Sequence, residues 1–262
     1  MDRLLRVWPA AWSRQQRSSA TMLAASVLLV LILWLIPIPL SWAPDPIGNN
    51  AQLFAQGTRV TVELTVVSGL AGVLLGMLAA LGKVSRLPPL RWLAGFYIWV
   101  MRGTPLLVQV LFVYFALPEV VPVLRMDEFT AACVALALNV GAYNAEAIRS
   151  GLLAVPRGQV EAAHSLGLGR WYTFADVVFP QAFKIALPPL VNNIVALLKD
   201  SSLAFTIGVV ELTNAGSQVK STSFQAVPVF IATAIIYLVL TTVMTQISDA
   251  VERRFDIEGK LG

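Results

Sequence analysis

Residues 156–188 read PRGQVEAAHSLGLGRWYTFADVVFPQAFKIALP, a polar island in an otherwise very apolar chain of 262 residues. Pro156 suits the first position of a helix, which puts Arg157, Glu161 and His164 at i, i+4 and i+7 on one face. Val160, Ala163 and Leu166 share another face. Gly167-Leu168-Gly169 supplies the positive φ that a sharp helix stop needs. A second short helix is expected from Arg170 to Phe179, with Trp171, Phe174 and Val178 on one stripe and Pro180 ending it. The product is a helix-turn-helix knob suited to docking, with an amphipathic hairpin lying on a membrane surface as the competing reading.

The surroundings of this island set the class. With 57% hydrophobic and only 13% charged residues the chain is too apolar for a soluble domain of its length, and an all-α polytopic membrane protein is expected. A net charge of +4 suggests nucleic acid in a soluble protein, but here the placement of the basic residues carries the meaning. Cys133 and His164 are each the only residue of their kind, so neither a disulfide framework nor a Cys/His metal site is available. No Walker A pattern occurs, so ATP is not bound through a P-loop of this chain, and intramembrane serines without a histidine base make no hydrolytic dyad. No catalytic residue is assigned, and the energy for any transport must come from a partner or a gradient.

Glu161-Ala162-Ala163, then Gly167 after three residues, then nine residues to Val177 and on to Phe179-Pro180, resembles the EAA loop of the membrane-spanning subunits of ABC importers. Val177 stands where that loop has Ile and Phe179 where it has Leu, both apolar replacements that leave a packing role intact. Arg102-Gly103-Thr104-Pro105-Leu106-Leu107-Val108-Gln109 is similar to the signature of permeases for polar amino acids, as are Ala142-Tyr143-Asn144-Ala145-Glu146 and Leu198-Lys199-Asp200-Ser201-Ser202-Leu203. One such motif is weak evidence; four in order are specific.

The resemblance implies a five-helix ABC importer permease core over residues 58–254, preceded by a segment 1–57 with one additional N-terminal transmembrane helix and followed by a tail 255–262. It implies that Glu161, Ala162, Ala163, Gly167 and Pro180 couple the chain to cytoplasmic ABC ATPase subunits, where ATP and Mg would be held. This chain would bind no cofactor itself. Its further implied partners are a second permease (identical or a sister chain), an external substrate-binding protein and a polar amino acid, in a bacterial plasma (inner) membrane.

Along the chain, Arg3, Arg6, Arg14 and Arg17 precede an apolar run from Thr21 to Leu40, long enough to cross a bilayer. A cleaved signal peptide ending at Ser41-Trp42-Ala43 competes, but the run is longer than a usual signal core, and residue 44 emerges outside either way. Residues 43–58 read as an external loop and Val60 to Leu81 as an inward crossing. Gly69, Gly72 and Gly76 on one face of that crossing allow close helix approach, and Glu63 near its outer end is a candidate cap. After a cytoplasmic turn at Lys83–Arg91, residues 93–101 lie partly along the interface and Thr104 to Leu117 crosses outward. Phe129 to Ile148 returns inward, Ile185 to Val210 crosses outward, Glu211 to Phe224 is polar and external, and Val227 to Ile247 returns inward. Fifteen of the 19 Lys and Arg residues then fall on the cytoplasmic side, which supports six crossings with both ends inside.

Polar groups within the spans are the candidate substrate path, because charge in a membrane is costly and normally faces a bundle interior or a wet cavity. They are Lys199, Asp200, Gln109, Asn139 and Asn144, with Asn192 and Asn193 flanking. Helical rise from Pro188 places Lys199-Asp200 about 18 Å along its helix, near mid-membrane. An internal ion pair competes with substrate contact for these two, and interhelical hydrogen bonding competes for the amides. Glu146 and Arg149, at i and i+3, most simply pair with each other. A secondary, ion-coupled transporter is the alternative function but would carry internal repeats, of which none is evident. A membrane scaffold comes third, since it has no need of Lys199 and Asp200 in lipid.

Overall fold

The structure is a computed structural model and describes residues 14–255; Arg3, Arg6 and Lys260 of the charge argument, and the tail beyond Phe255, lie outside the described residues. Within a membrane every backbone N–H and C=O needs an internal partner, and the described residues answer with helices alone. These are α1 (Arg14–Leu35), α2 (Ala51–Val84), α3 (Pro88–Gly103), α4 (Leu106–Val120), α5 (Glu128–Leu153), α6 (Arg157–Ser165), α7 (Phe179–Asp200), α8 (Leu212–Ser223) and α9 (Ala226–Arg254), joined by turns and shorter helical segments. Five segments are long and apolar enough to cross a membrane, and α3 with α4 make a sixth candidate, bent by 111°. The all-α membrane architecture and the span count agree with the sequence reading.

At the centre, α2 lies against α5 almost backbone to backbone. A Cβ added to Gly76 would sit 2.6 Å from Asn144 Cβ and 3.0 Å from Gly141 O, and one added to Gly141 would sit 3.0 Å from Leu75 Cβ. The glycine face of α2 therefore does what its spacing suggests, replacing side-chain bulk with dispersion contact between main chains. Leu64, Val110, Ala131, Ala135 and Ala204 close one apolar core between α2, α4, α5 and the 3₁₀ helix that follows α7. Phe54, Leu198, Leu212, Ile236 and Leu240 form a second core, against which Leu29 and Ile32 of α1 pack.

Several expected boundaries are corrected. Residues 51–58 are helical rather than loop, so α2 runs for 34 residues, about 51 Å against a hydrocarbon core of about 30 Å. Its exposed face changes character along its length, with Gln52, Gln56, Arg59 and Glu63 at one end and Val66, Leu70 and Leu74 next. The polar stretch marks where α2 leaves the bilayer, and Glu63 lies inside the helix rather than capping it. α1 stops at Leu35, short of Leu40, and a further turn occupies Pro37–Ser41.

Pro180, expected to end a helix, does not, and the crossing expected to stop at Leu117 continues through Pro118. Pro180 lies within a helical run from Arg170 that continues through Pro188 and Pro189 to Asp200, and Pro118 lies within α4. Each follows a π-helical turn, Thr173–Val178 before Pro180 and Phe112–Ala116 before Pro118. A proline leaves the carbonyl four residues back without its donor and crowds it. The wider i→i+5 turn relieves the crowding and offers that carbonyl the next N–H along.

Candidate translocation site and coupling loop

Between α3 and α4 the chain breaks at Thr104-Pro105, both in extended backbone conformation, and the direction of the helix changes there. The break opens one wall of a cavity of ≈ 340 Å³. Thr104, Pro105 and Leu106 line that wall; Asn139 and Tyr143 of α5 and Asn193 and Asp200 of α7 line the facing walls. The Arg102 guanidinium lies 5.3 Å from the centre of the Tyr143 ring, a cation–π contact beside this cavity.

Asp200 is the last residue of α7, after which Ser201–Ile207 tighten into a 3₁₀ helix and Gly208 turns the chain at φ 99°. It is half-buried and its cavity has no basic residue on its walls. Lys199 is exposed and faces a separate groove of ≈ 320 Å³ lined by Ser202, Thr213, Thr233 and Tyr237. Adjacent positions on a helix diverge by about 100°. Accordingly, no salt bridge joins Lys199 and Asp200 among the described residues.

The amides divide. Gln109 is buried, and its Nε2 donates to Met101 O (2.8 Å), Thr104 O (3.1 Å) and Thr104 Oγ1 (2.8 Å). Asn139 Nδ2 donates to Gln109 Oε1 at 3.0 Å. Asn144 is fully buried and accepts a 2.9 Å hydrogen bond from Asn193 Nδ2, tying α5 to α7, while Asn192 is exposed. Arg149 Nε donates to the Glu146 carboxylate, the pairing their spacing suggests.

Sequence reading missed Glu211, assigned above to a polar external stretch. Its side chain is fully buried, and its carboxylate accepts from the backbone N–H groups of Thr213 and Asn214 and from Tyr237 Oη, each at 2.8 Å. The available signal was an acid directly before a helix start, the position that caps orphan N–H groups.

On the loop, α6 begins after Pro156, which is extended and precedes the helix rather than opening it. Gly167 takes φ 80°, and Leu168 N–H donates to Ala163 O at 3.1 Å, closing the helix end as expected. Ala163 is buried, whereas Glu161, Ala162 and Leu166 are exposed, Leu166 at 84%. Trp171, Phe174, Phe179, Phe183 and Phe255 follow at ring spacings of 5.2 to 6.3 Å, a ladder from the knob to the end of α9.

Bent spans, a polar cavity at a helix break and a protruding apolar-tipped loop define a class, the membrane-embedded subunits that move solutes. A family model described as binding-protein-dependent transport system inner membrane component matches residues 72–257, and the chain belongs to that family. Membership makes it a transport permease subunit rather than an enzyme, in a multi-pass membrane setting, and implies ATPase, binding-protein and second-permease partners. The glutamine transport system permease protein GlnP of Escherichia coli (strain K12) is 40% identical over 209 residues, covering 78% of this chain and 94% of that one. The L-cystine transport system permease protein TcyB of Bacillus subtilis (strain 168) is 37% identical over 205 residues, 78% of this chain and 87% of its own. The crystal structure of an amino acid ABC transporter with histidines contains a chain 39% identical, with a TM-score of 0.74, covering 79% of this chain and 95% of that one.

Proposed function

We propose that this chain is the membrane-spanning permease of an ATP-driven ABC importer for polar amino acids, and that the cavity at Asp200 is where the amino acid passes. The relatives named for glutamine and cystine, and the solved amino acid transporter, support the substrate class. An ion-coupled carrier is not favoured, because the family is binding-protein-dependent.

In this reading a bacterial inner membrane holds both termini on its cytoplasmic side. Cytoplasmic ABC ATPase subunits, which carry ATP and Mg, grip α6 through Glu161, Ala162 and Ala163, and the turn at Gly167 and the run through Pro180 transmit the motion. The exposed Leu166 and Trp171 support such a contact, since apolar side chains on a water-facing loop are best explained by a protein that covers them. A second permease, identical or a sister chain, completes the path, and an external binding protein delivers the amino acid. Nucleic acid has no place in it.

The carrying observation is that the half-buried Asp200 carboxylate faces a polar cavity with no cation on its walls. An ammonium group, common to all free amino acids, would pair with this carboxylate from within the cavity, and Asn139 and Asn193 offer amide dipoles alongside. Lys199, in the other groove, is available to a carboxylate only if the path extends across both. Asp200→Asn keeps the shape and removes the charge. Uptake by reconstituted vesicles is expected to show an apparent KM raised about ten- to a hundredfold, the scale of a hydrogen bond to a charged group. Wild-type rate and apparent KM in a properly assembled variant would refute the assignment.

A further inference from the structure

A helix that breaks leaves carbonyls at its end with no helical donor. Near the α3 terminus Met101 O and Thr104 O both accept from one side chain that reaches back from the first turns of α4. Gln109 Nε2 has Met101 O, Thr104 O and Thr104 Oγ1 within 3.1 Å, and Thr104 Oγ1 in turn donates to Val100 O at 2.9 Å. Gln109 Oε1 is occupied by Asn139 Nδ2, which also donates to Met101 O at 3.3 Å. A carboxamide has two N–H groups and one carbonyl oxygen, so the Gln109 amide has no donor left for a ligand. One network thus joins the end of α3, the start of α4 and the middle of α5.

The elbow also has different surroundings on its two sides. Thr104, Pro105 and Leu106 line the polar cavity that holds Asp200. A second, apolar hollow of ≈ 250 Å³ is lined by residues that include Thr104, Gln109, Ala135 and Leu138 together with the exposed Val108 and Phe112, so it opens onto the outer face of the elbow. A clamped joint flanked by an open hollow has room to move that one packed on all sides at interior density lacks.

We infer that Gln109 is the positioning residue of this elbow rather than a ligand on the path: its amide sets the angle between α3 and α4, and the apolar cavity is the room into which the elbow moves as the path widens. The inference concerns how the wall moves and holds whichever solute is carried.

The test uses the full chain with its ATPase and binding protein in lipid vesicles. Spin labels at Trp92→Cys and Phe115→Cys, both exposed positions on the two arms, report the elbow, while Cys133 is buried. Gln109→Leu removes the four hydrogen bonds made by the Gln109 side chain at similar volume, and Gln109→Glu keeps the acceptor for Asn139 but loses the donors. Each is expected to broaden the distance distribution and to lower maximal uptake about tenfold at unchanged apparent KM, the scale of one or two lost hydrogen bonds. Leu138→Trp, which leaves Gln109 intact and fills the apolar cavity, is expected to narrow the change in distance on adding ATP and also to lower maximal uptake. Should Gln109→Leu fail to insert, the other two variants carry the test. A wild-type distance distribution with a raised apparent KM in a Gln109 variant would make Gln109 a ligand and overturn the inference, as would a Leu138→Trp variant that moves and transports normally.

Discussion

Glu211 shows how much one side chain holds in place. Among the described residues it is the one charged side chain that is fully buried, and its carboxylate caps α8 while Tyr237 of α9 donates to it. Leu212 N–H donates to Thr61 Oγ1 of α2 at 3.1 Å, so three helices meet within two residues. Burial raises the carboxyl above the ordinary range, and the N–H groups of Thr213 and Asn214 with the Tyr237 hydroxyl recover only part of that shift. A folded-state pKa above the unfolded one, about 4.3, means that the native form binds the proton more tightly. The Glu211 contribution is therefore full below that value and declines as pH rises through the folded pKa. Glu211→Gln, neutral at every pH and still an acceptor, is expected to remove this decline, visible as a wild-type minus variant difference in melting temperature that shifts against the wild type as pH rises. Glu211→Ala, which orphans two backbone donors and leaves Tyr237 Oη only its 3.1 Å contact with Thr213 Oγ1, should lose about 1–3 kcal/mol. Thermal unfolding of the two variants in detergent across pH checks both, and an alanine variant that melts with the wild type contradicts the structural role.

At the scale of elements, hydrophobic runs and Gly patterns were legible because bilayer thickness and close packing impose them directly on sequence. Proline was misread at 180 because the rule that proline stops a helix presumes a cheap alternative partner in water for the freed carbonyl. In these helices a π turn rehouses it and the helix continues. Gln109 was placed among path residues because its sequence neighbours do not reveal that α3 ends six residues earlier, where its amide donates to Met101 O and Thr104 O. The α6 turn was read correctly, since Gly167 at φ 80° satisfies a local backbone demand that glycine meets. That demand gives a test of the loop. Nothing lies within 4 Å of the position a Gly167 Cβ would take, so Gly167→Trp finds room but pays about 1–2 kcal/mol for its backbone. Under the proposed docking of α6 on the ATPase, relaxation of that strain should swing α6 out of register with it. Uptake should then fall while the chain still inserts and ATP hydrolysis loses its response to the loaded binding protein. Unchanged uptake and unchanged stimulation would show that this turn does not transmit the ATPase cycle.

For the whole molecule, the question is what α1 adds. The family match begins at residue 72, so α1 lies wholly outside it. Its exposure agrees with an outer position: 11% of its span is buried, against 61% for α5. Its partner is α9, through Leu29 and Ile32 on the core beside Ile236 and Leu240, with Ser18 Oγ donating to Ala250 O and Arg254 donating to Ser19 Oγ at 2.6 Å. At the other end Arg59 Nε of α2 donates to Leu33 O at 3.0 Å, supplying a carbonyl in the last turn of α1. None of these contacts touches the cavity at Asp200 or the α3–α4 elbow. A helix that clasps α9 from outside stabilises the fold without shaping the path, so its removal should lower stability before it lowers activity. Deleting residues 1–40 behind a replacement signal peptide keeps residue 44 on the expected external face. The variant is expected to import its substrate with unchanged apparent KM and to melt several degrees lower, about 2–4 °C for each kcal/mol lost in a chain of this size. Import assays at low temperature separate the two effects, because a brace is dispensable when thermal unfolding is remote. Complete loss of import at low temperature in a correctly inserted variant would show instead that α1 takes part in the transport cycle through α9.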